Sequence, residues 1–314
     1  TRVVTRPGPH APGGRPRRIR LVALDLDGTL LGDDMRIRPR TVAAVRAAVE
    51  AGVAVSIVTG RMASSALPYA RELGLREPIV GMQGALIRAL PEAGRPGLGR
   101  LLYHRPLPAA VAREALAWCR SHGLDPHLNH LEKMVIPATD SRAPEYVRFN
   151  LGRVLVVPDL DAWVRHPVTK VISVGDPPTP TRLLPAARAA FEGRAVATVS
   201  HPMFLEFVAP GVSKGAAVRW LARRLGVDLR DALAIGDQLN DLEMIGEVGF
   251  GVAMPHGPAE LRAAASLVAP PFDEDGAAQV LETYVLGGRS VAGRARPAGE
   301  SSRPPGVPGR VARG

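Results

Sequence analysis

The chain has 314 residues, 46% of them hydrophobic, and a single cysteine, Cys119. That length supports one large or two ordinary domains with real cores, and it excludes an intrachain disulfide framework, which fits a reducing, cytoplasmic compartment. The formal net charge is +10, yet residues 1–20 hold six arginines and no acid, and residues 287–314 hold six arginines and Glu300. Residues 21–286 are therefore close to neutral, and nucleic acid is not expected as a partner. No apolar run approaches the roughly 20 residues of a membrane-spanning helix, and no apolar stretch follows the N-terminal charges as it would in a secretory signal. A membrane is not expected as a partner either.

Residues 1–17 and 287–314 are rich in Pro, Gly and Arg without an apolar period, and they read as disordered tails. At 21–25 an apolar run suits a buried parallel strand. "RPRTVAAVRAAVEA", residues 38–51, spaces Val42, Val45 and Val49 as a helix does, and Gly52 stops it. "VAVSIVTG" reads as a second buried strand, followed by a helix near 62–73 and a short strand in "PIVGMQG". Strand, helix, strand, helix, strand is the rhythm of a Rossmann-like, doubly wound α/β sheet. After Gly84 the rhythm changes. "ALIRAL", "RLLYHRPL", "KMVIPA", "TKVISVG", "AVATVS" and "MFLEFVA" read as strands, with helices at "PAAVAREALAWCRSHG" and near 181–191. This block, residues 86–206, is expected to be an α+β cap inserted into a discontinuous core of residues 18–85 and 207–286. The core rhythm resumes with a helix at "KGAAVRWLARRLG", a strand at "DALAIGD", a helix at "NDLEMIGEVG", a strand at "FGVAM" and a last helix at "DGAAQVLETYV".

In an open parallel sheet, ligands bind beyond the carboxyl ends of the strands. Four expected core strands end there in polar groups: Asp25 with Asp27, Thr59, Gln83, and Asp237. Two carboxylates at i and i+2 share a side of an extended chain and repel unless a cation lies between them. A hard divalent ion such as Mg²⁺, taking one or two carboxylates plus a phosphate, resolves that repulsion, with Asp237 as a further ligand. Gly28 permits a sharp turn, while Asn240 and Asp241 fall on the first turn of the next helix. Only three of the 40 basic residues are lysine, namely Lys133, Lys170 and Lys214, so each deserves inspection. No "GxxxxGK[ST]" loop is present, and no His or Cys cluster has zinc spacing. Of the scattered histidines, His127 and His130 fall in the expected cap and could face a substrate. Arg61 could contact substrate or begin a solvated helix.

Together these motifs resemble the haloacid dehalogenase superfamily of phosphohydrolases, in its Cof-type branch with a large C2 cap. The resemblance lies in "LVALDLDGTLL", "SIVTGR", "FLEFVAPGVSKG" and "AIGDQLNDLEMI", in that order, and in "GVAM" followed by "ELRAAASLVAPPFDEDGAAQVLE". It covers roughly residues 20–286. It implies a phosphatase acting on a small-molecule phosphate ester, a sugar phosphate or a nucleotide or cofactor phosphate, through a phosphoaspartyl intermediate. Asp25 would be the nucleophile and Asp27 the general acid and base. Mg²⁺ would sit on Asp25, the backbone carbonyl of Asp27, and Asp237, with Asp241 nearby, through water or orienting Lys214. Thr59, the amides of Leu26 and Gly60, Lys214 and Asn240 would hold the phosphate oxygens. The alternative is a phosphate-ligand sensor of the same fold without turnover; oligomeric state is left open. Two stretches depart from the family pattern: "MQGA", where Gln83 replaces the usual Asn, and "MPHGP", Met254 to Pro258, which replaces Met-Gly-Asn-Ala.

Overall fold

The computed structural model describes residues 18–92, 94–138 and 153–287. The tails expected at 1–17 and 287–314 lie outside them, Gly287 apart. In chain order the elements are β1 (Leu21–Leu24), α1 (Pro39–Glu50), β2 (Ala54–Ile57), α2 (Ala63–Glu72), β3 (Ile79–Gly81), β4 (Leu86–Arg88), β5 (Leu101–His104), α3 (Ala109–Ser121), β6 (Asp125–His130), β7 (Lys133–Pro137), β8 (Arg153–Val157) and α4 (Leu160–Trp163). There follow β9 (Lys170–Val174), α5 (Thr179–Ala190), β10 (Val196–His201), β11 (Phe204–Val208), α6 (Lys214–Leu225), β12 (Ala232–Gly236), α7 (Leu242–Glu247), β13 (Phe250–Ala253), α8 (Ala259–Ala264), β14 (Leu267–Val268) and α9 (Gly276–Val280). None of the described helices is long and apolar enough to cross a membrane.

A five-stranded parallel sheet runs in the order β14-β13-β12-β1-β2. β1 lies inside it, and all four of its residues are buried. Val22 and Leu24 pack with Ala44, Val45 and Ala48 of α1, while Leu21 and Ala23 pack with Val218 and Leu221 of α6. Helices therefore cover both faces, which is why the strand is a continuous apolar run rather than an alternating one. Burial of a leucine side chain at such a position contributes about 1.5–3 kcal/mol. Leu24 is in register with Ile57 on one side and Ile235 on the other. The chain leaving each of these strands thus emerges at one common edge.

β3 extends this sheet through a parallel bridge, Val58 to Val80, and pairs antiparallel with β4, which pairs with β5. A separate six-stranded sheet, β10-β11-β9-β6-β7-β8, is antiparallel except for the β7–β8 pair. One face packs through Leu128, Val171, Leu205 and Phe207 with Leu116 and Leu184, on α3 and α5. The other face turns Met134, Ile172, Phe204 and Val208 toward the parallel core. The fold is thus a doubly wound α/β core with an antiparallel sheet laid over it as a cap.

β6 was not foreseen as a strand, because "DPHLNH" offers one strong apolar residue. Its alternation explains the composition: Leu128 enters the helix-covered side, while His127 and Asn129 take the opposite side, beside Ile172 and Lys170. The short elements β8, α4, α8 and β14 were likewise not anticipated.

Candidate active site

Asp25 follows β1 and Asp237 follows β12, and both are buried. Asp241 closes a 3₁₀ turn, Leu239–Asp241, and is fully buried. One oxygen from each of these three carboxylates lies within 4.8 Å of the others. Lys214 opens α6, after the Ser213 N-cap whose Oγ accepts the Ala216 N–H at 2.9 Å. A helix N-terminus disfavours a cation, so the local rules do not account for a lysine here. Its ammonium is fully enclosed and donates to Asp25 Oδ1 at 2.7 Å and Asp241 Oδ1 at 2.6 Å. Burial opposes the Lys214 charge, but the carboxylates of Asp241 and Asp25 outweigh it and hold its pKa above the usual lysine range. Burial pushes Asp25 well above the ordinary carboxylate pKa, against the pull of Lys214, and neighbouring Asp241 and Asp237 add to the rise. Asp241 is raised likewise, by burial first.

Three buried carboxylates thus face one ammonium. The electrostatic deficit calls for further positive charge, and an all-oxygen donor set suits a hard divalent cation such as Mg²⁺. Asp25, Asp237 and Asp241 fit that group. Several of their oxygens already accept hydrogen bonds: Asp237 Oδ1 from Thr29 Oγ1 at 3.2 Å, Asp237 Oδ2 from Gln238 Nε2 at 3.1 Å, and Asp241 Oδ2 from the backbone N–H groups of Asp237 and Gln238 at 3.0 and 3.1 Å. Asp241 therefore orients Lys214 and braces the loop that carries Asp237.

Asp27 stands apart from this cluster. Its carboxylate is held by Arg61, whose Nε donates to Oδ2 at 2.7 Å while Nη2 donates to Oδ1. Arg61 is buried, packs near Tyr69, and is neither a solvated helix start nor a loose surface group. Reading the residues alone missed its pairing with Asp27; the Arg after Thr59-Gly60, directly following a buried strand, was the available signal. Gly28, with φ +76°, makes the turn behind Asp27, and a Cβ there would collide with the Asp237 carboxylate. Thr59 is fully buried, and its Oγ1 accepts the Arg61 N–H at 3.2 Å.

Asp25, Asp27, Gly60, Arg61 and Asn240 share a cavity of about 50 Å³ with Lys170, Ile172, Ser200, His201, Phe204 and Glu206 of the cap sheet. This is well short of the roughly 300–1,000 Å³ of a small-molecule site, but Asp27, Ser200 and His201 also line an adjoining cavity of about 1,200 Å³ together with Asp237, Gln238 and His256. Of the two lysines left unplaced by the sequence, Lys170 meets the site: it bonds Glu206 Oε2 at 2.7 Å and the Gly60 carbonyl at 2.9 Å. Lys214 and Gln83 line the neighbouring cavity of about 330 Å³, with Asn240 between the two. Neither His127 nor His130 lines the cavity over Asp25. His256, in the departing loop, reaches Asp237 Oδ2 at 3.4 Å, and that contact raises its pKa. The side chain of Leu26 is buried in the hydrophobic core. A cavity of about 1,580 Å³ lies at the opposite end of the strands beside Arg18, Arg46 and Val53, away from the acidic cluster.

Residues 22–281 match the sequence pattern of the haloacid dehalogenase-like hydrolases. An HMP-PP phosphatase of Serratia proteamaculans is 30% identical over 247 residues, covering 77% of this chain and 86% of the relative. A 5-amino-6-(5-phospho-D-ribitylamino)uracil phosphatase of Bacillus subtilis is 29% identical over 273 residues, covering 84% and 97%. A crystal structure of a haloacid dehalogenase-like hydrolase from Bacteroides thetaiotaomicron superposes with a TM-score of 0.71 at 26% identity, covering 85% of this chain and 99% of that one. With its acidic strand ends, buried lysine and overlying cap sheet, the chain belongs to the haloacid dehalogenase-like hydrolases, as a phosphatase of the Cof-type branch.

Proposed function

We propose that the chain hydrolyses a small-molecule phosphate monoester through a phosphoaspartyl intermediate, using Mg²⁺ as cofactor. The observation that carries this reading is the Lys214 ammonium bonded to Asp25 and Asp241 beside Asp237, a cluster at the joined ends of β1 and β12. Asp25 attacks phosphorus, forming an O–P bond as the ester O–P bond breaks. Asp27 gives the departing alkoxide its proton, then takes a proton from the water that attacks the aspartyl phosphate. Arg61 keeps the Asp27 carboxyl aimed while it does so. Thr59, the amides of Leu26 and Gly60, Lys214 and Asn240 receive the phosphoryl oxygens. Asp25, Asp237 and the Asp27 carbonyl, with Asp241 nearby, would hold Mg²⁺, which would supply the positive charge that lets an anionic carboxylate approach an anionic phosphate.

The division into a core of residues 18–85 and 207–286 and a cap of residues 86–206 belongs to this proposal. So does action in the cytoplasm. The cavity lining of Lys170, Glu206, Ser200 and His201 supports a compact leaving group with both donors and acceptors, such as the alcohol of a sugar phosphate or of a phosphorylated cofactor precursor.

The test is hydrolysis of para-nitrophenyl phosphate with Mg²⁺. Turnover is expected, lost on adding EDTA, and lowered by at least about 10³ in Asp25→Asn. A substituted enzyme that keeps wild-type turnover rules out covalent catalysis. A wild-type protein that binds inorganic phosphate but never turns over is the sensor instead.

A further inference from the structure

Gln83 stands where the backbone disfavours it. It has φ +60°, and Met82 before it has φ +53°. Glycine, asparagine and aspartate tolerate this left-handed region, which longer side chains disfavour. The turn is pinned to the second motif, with Gln83 N–H on Thr59 O at 3.1 Å and Met82 N–H on Arg61 O at 2.9 Å. The backbone would thus be served better by Asn, so the reason for Gln lies in its reach.

That reach spans two sheets. Gln83 Nε2 donates to Glu206 Oε2 of β11 at 3.2 Å, and Gln83 Oε1 accepts from Asn240 Nδ2 at 2.9 Å. Both side chains of the link to the cap, Gln83 and Glu206, are buried. A Cβ on residue 60 would lie 2.5 Å from Gln83 Nε2, so Gly60 is what lets the amide lie over the second motif.

The polarity of the chain of bonds follows from its cap end. Glu206, ion-paired with Lys170, can only accept. Gln83 must therefore turn its NH₂ to the cap and its oxygen to the core. Asn240 must then present its NH₂ to Gln83, which leaves the second amide hydrogen for another acceptor. Asn240 Oδ1 is buried with no hydrogen-bond partner, as expected when an amide is oriented from one side instead of by its own surroundings.

We propose that Gln83 is a positioning residue: it carries the seating of the cap sheet, through Glu206, to the orientation of the Asn240 amide that receives phosphate. This rests on the phosphatase reading through the role given to Asn240. Coupling of this kind is reciprocal, so bound phosphate also favours the seated cap.

The experiment titrates inorganic phosphate calorimetrically into the Mg²⁺-loaded full chain and its variants, with KM and kcat for para-nitrophenyl phosphate alongside. Gln83→Asn keeps the amide and eases the backbone but is one methylene too short for both partners. Its Tm is expected at or above wild type, with phosphate Kd and KM raised about tenfold and kcat changed less. Glu206→Gln is nearly isosteric but no longer dictates which way Gln83 points, and the same loss is expected. Because both act through one relay, the double variant should be no weaker than either single one. Should Gln83→Asn not fold, Glu206→Gln carries the same expectation alone. Wild-type phosphate affinity in the folded variants, or losses that multiply in the double variant, overturns the relay and leaves the phosphatase reading standing. A wild-type chain that neither binds phosphate nor turns over overturns both.

Discussion

Arg61 shows how much a single side chain can decide at this site. Its guanidinium meets both Asp27 oxygens, a fork that an ammonium cannot reproduce. Burial opposes its charge, but the hydrogen bonds it donates to Asp27 more than restore it. In Arg61→Lys the acid is no longer aimed, while the groups proposed for phosphate are untouched. The expected outcome is a fall in kcat of about 10- to 100-fold with inorganic phosphate binding unchanged. Steady-state kinetics and calorimetry on the same preparation check it; an equal loss in both would assign Arg61 to phosphate binding instead. At this scale the sequence was legible where the chemistry needs a residue type at a strand end, as with Asp25 and Asp237. It was silent on pairings across the fold. Asp27 and Arg61 are 34 positions apart, and no local rule pairs them.

At the scale of elements, β5 and β6 bring His104 and His130 together across the joint between the three-stranded and six-stranded sheets, with ring centroids 6.5 Å apart. His104 Nε2 lies 3.0 Å from Thr169 Oγ1. Burial lowers the pKa of both rings, and nearby cations add to the effect: His130 and Arg88 around His104, Lys133 and His166 around His130. A histidine with a depressed folded-state pKa contributes stability above its unfolded pKa, about 6.5, and that stability is lost as pH falls through the folded values. The melting temperature should therefore drop as pH falls from about 7 toward 5, and drop less in His104→Gln, which keeps a polar partner for Thr169. A Tm profile identical in both proteins would show that the ring does not report on this joint. The elements themselves were readable in proportion to their apolar period. β1, β2 and β12 are buried on both faces and announce themselves as runs, and α6 keeps a helical period between Ser213 and Gly226. β6 could not be read that way, because one of its faces carries His127 and Asn129.

For the whole molecule, +9 of the net charge of +10 lies in residues 1–17 and 288–314, while residues 21–286 are near neutral. Chemistry housed at the ends of β1 and β12 needs neither segment. Removing residues 1–17 and 288–314 is expected to leave kcat within about a factor of two, and to weaken any salt-sensitive binding to DNA. A large loss of turnover in the shortened chain, measured with para-nitrophenyl phosphate, would tie the tails to the reaction.

Strand alternation in the cap has a further consequence. Along β9 and β11 the residues over the cavity, Lys170, Ile172, Phe204 and Glu206, are interleaved one for one with Val171, Ser173, Leu205 and Phe207 on the helix-backed face. The lining of the cavity and the packing of the cap are thus written in the same strands on separate registers. Such a sheet can exchange one set of letters for another and acquire a new clientele, while the machinery beneath it and the packing behind it stay as they are.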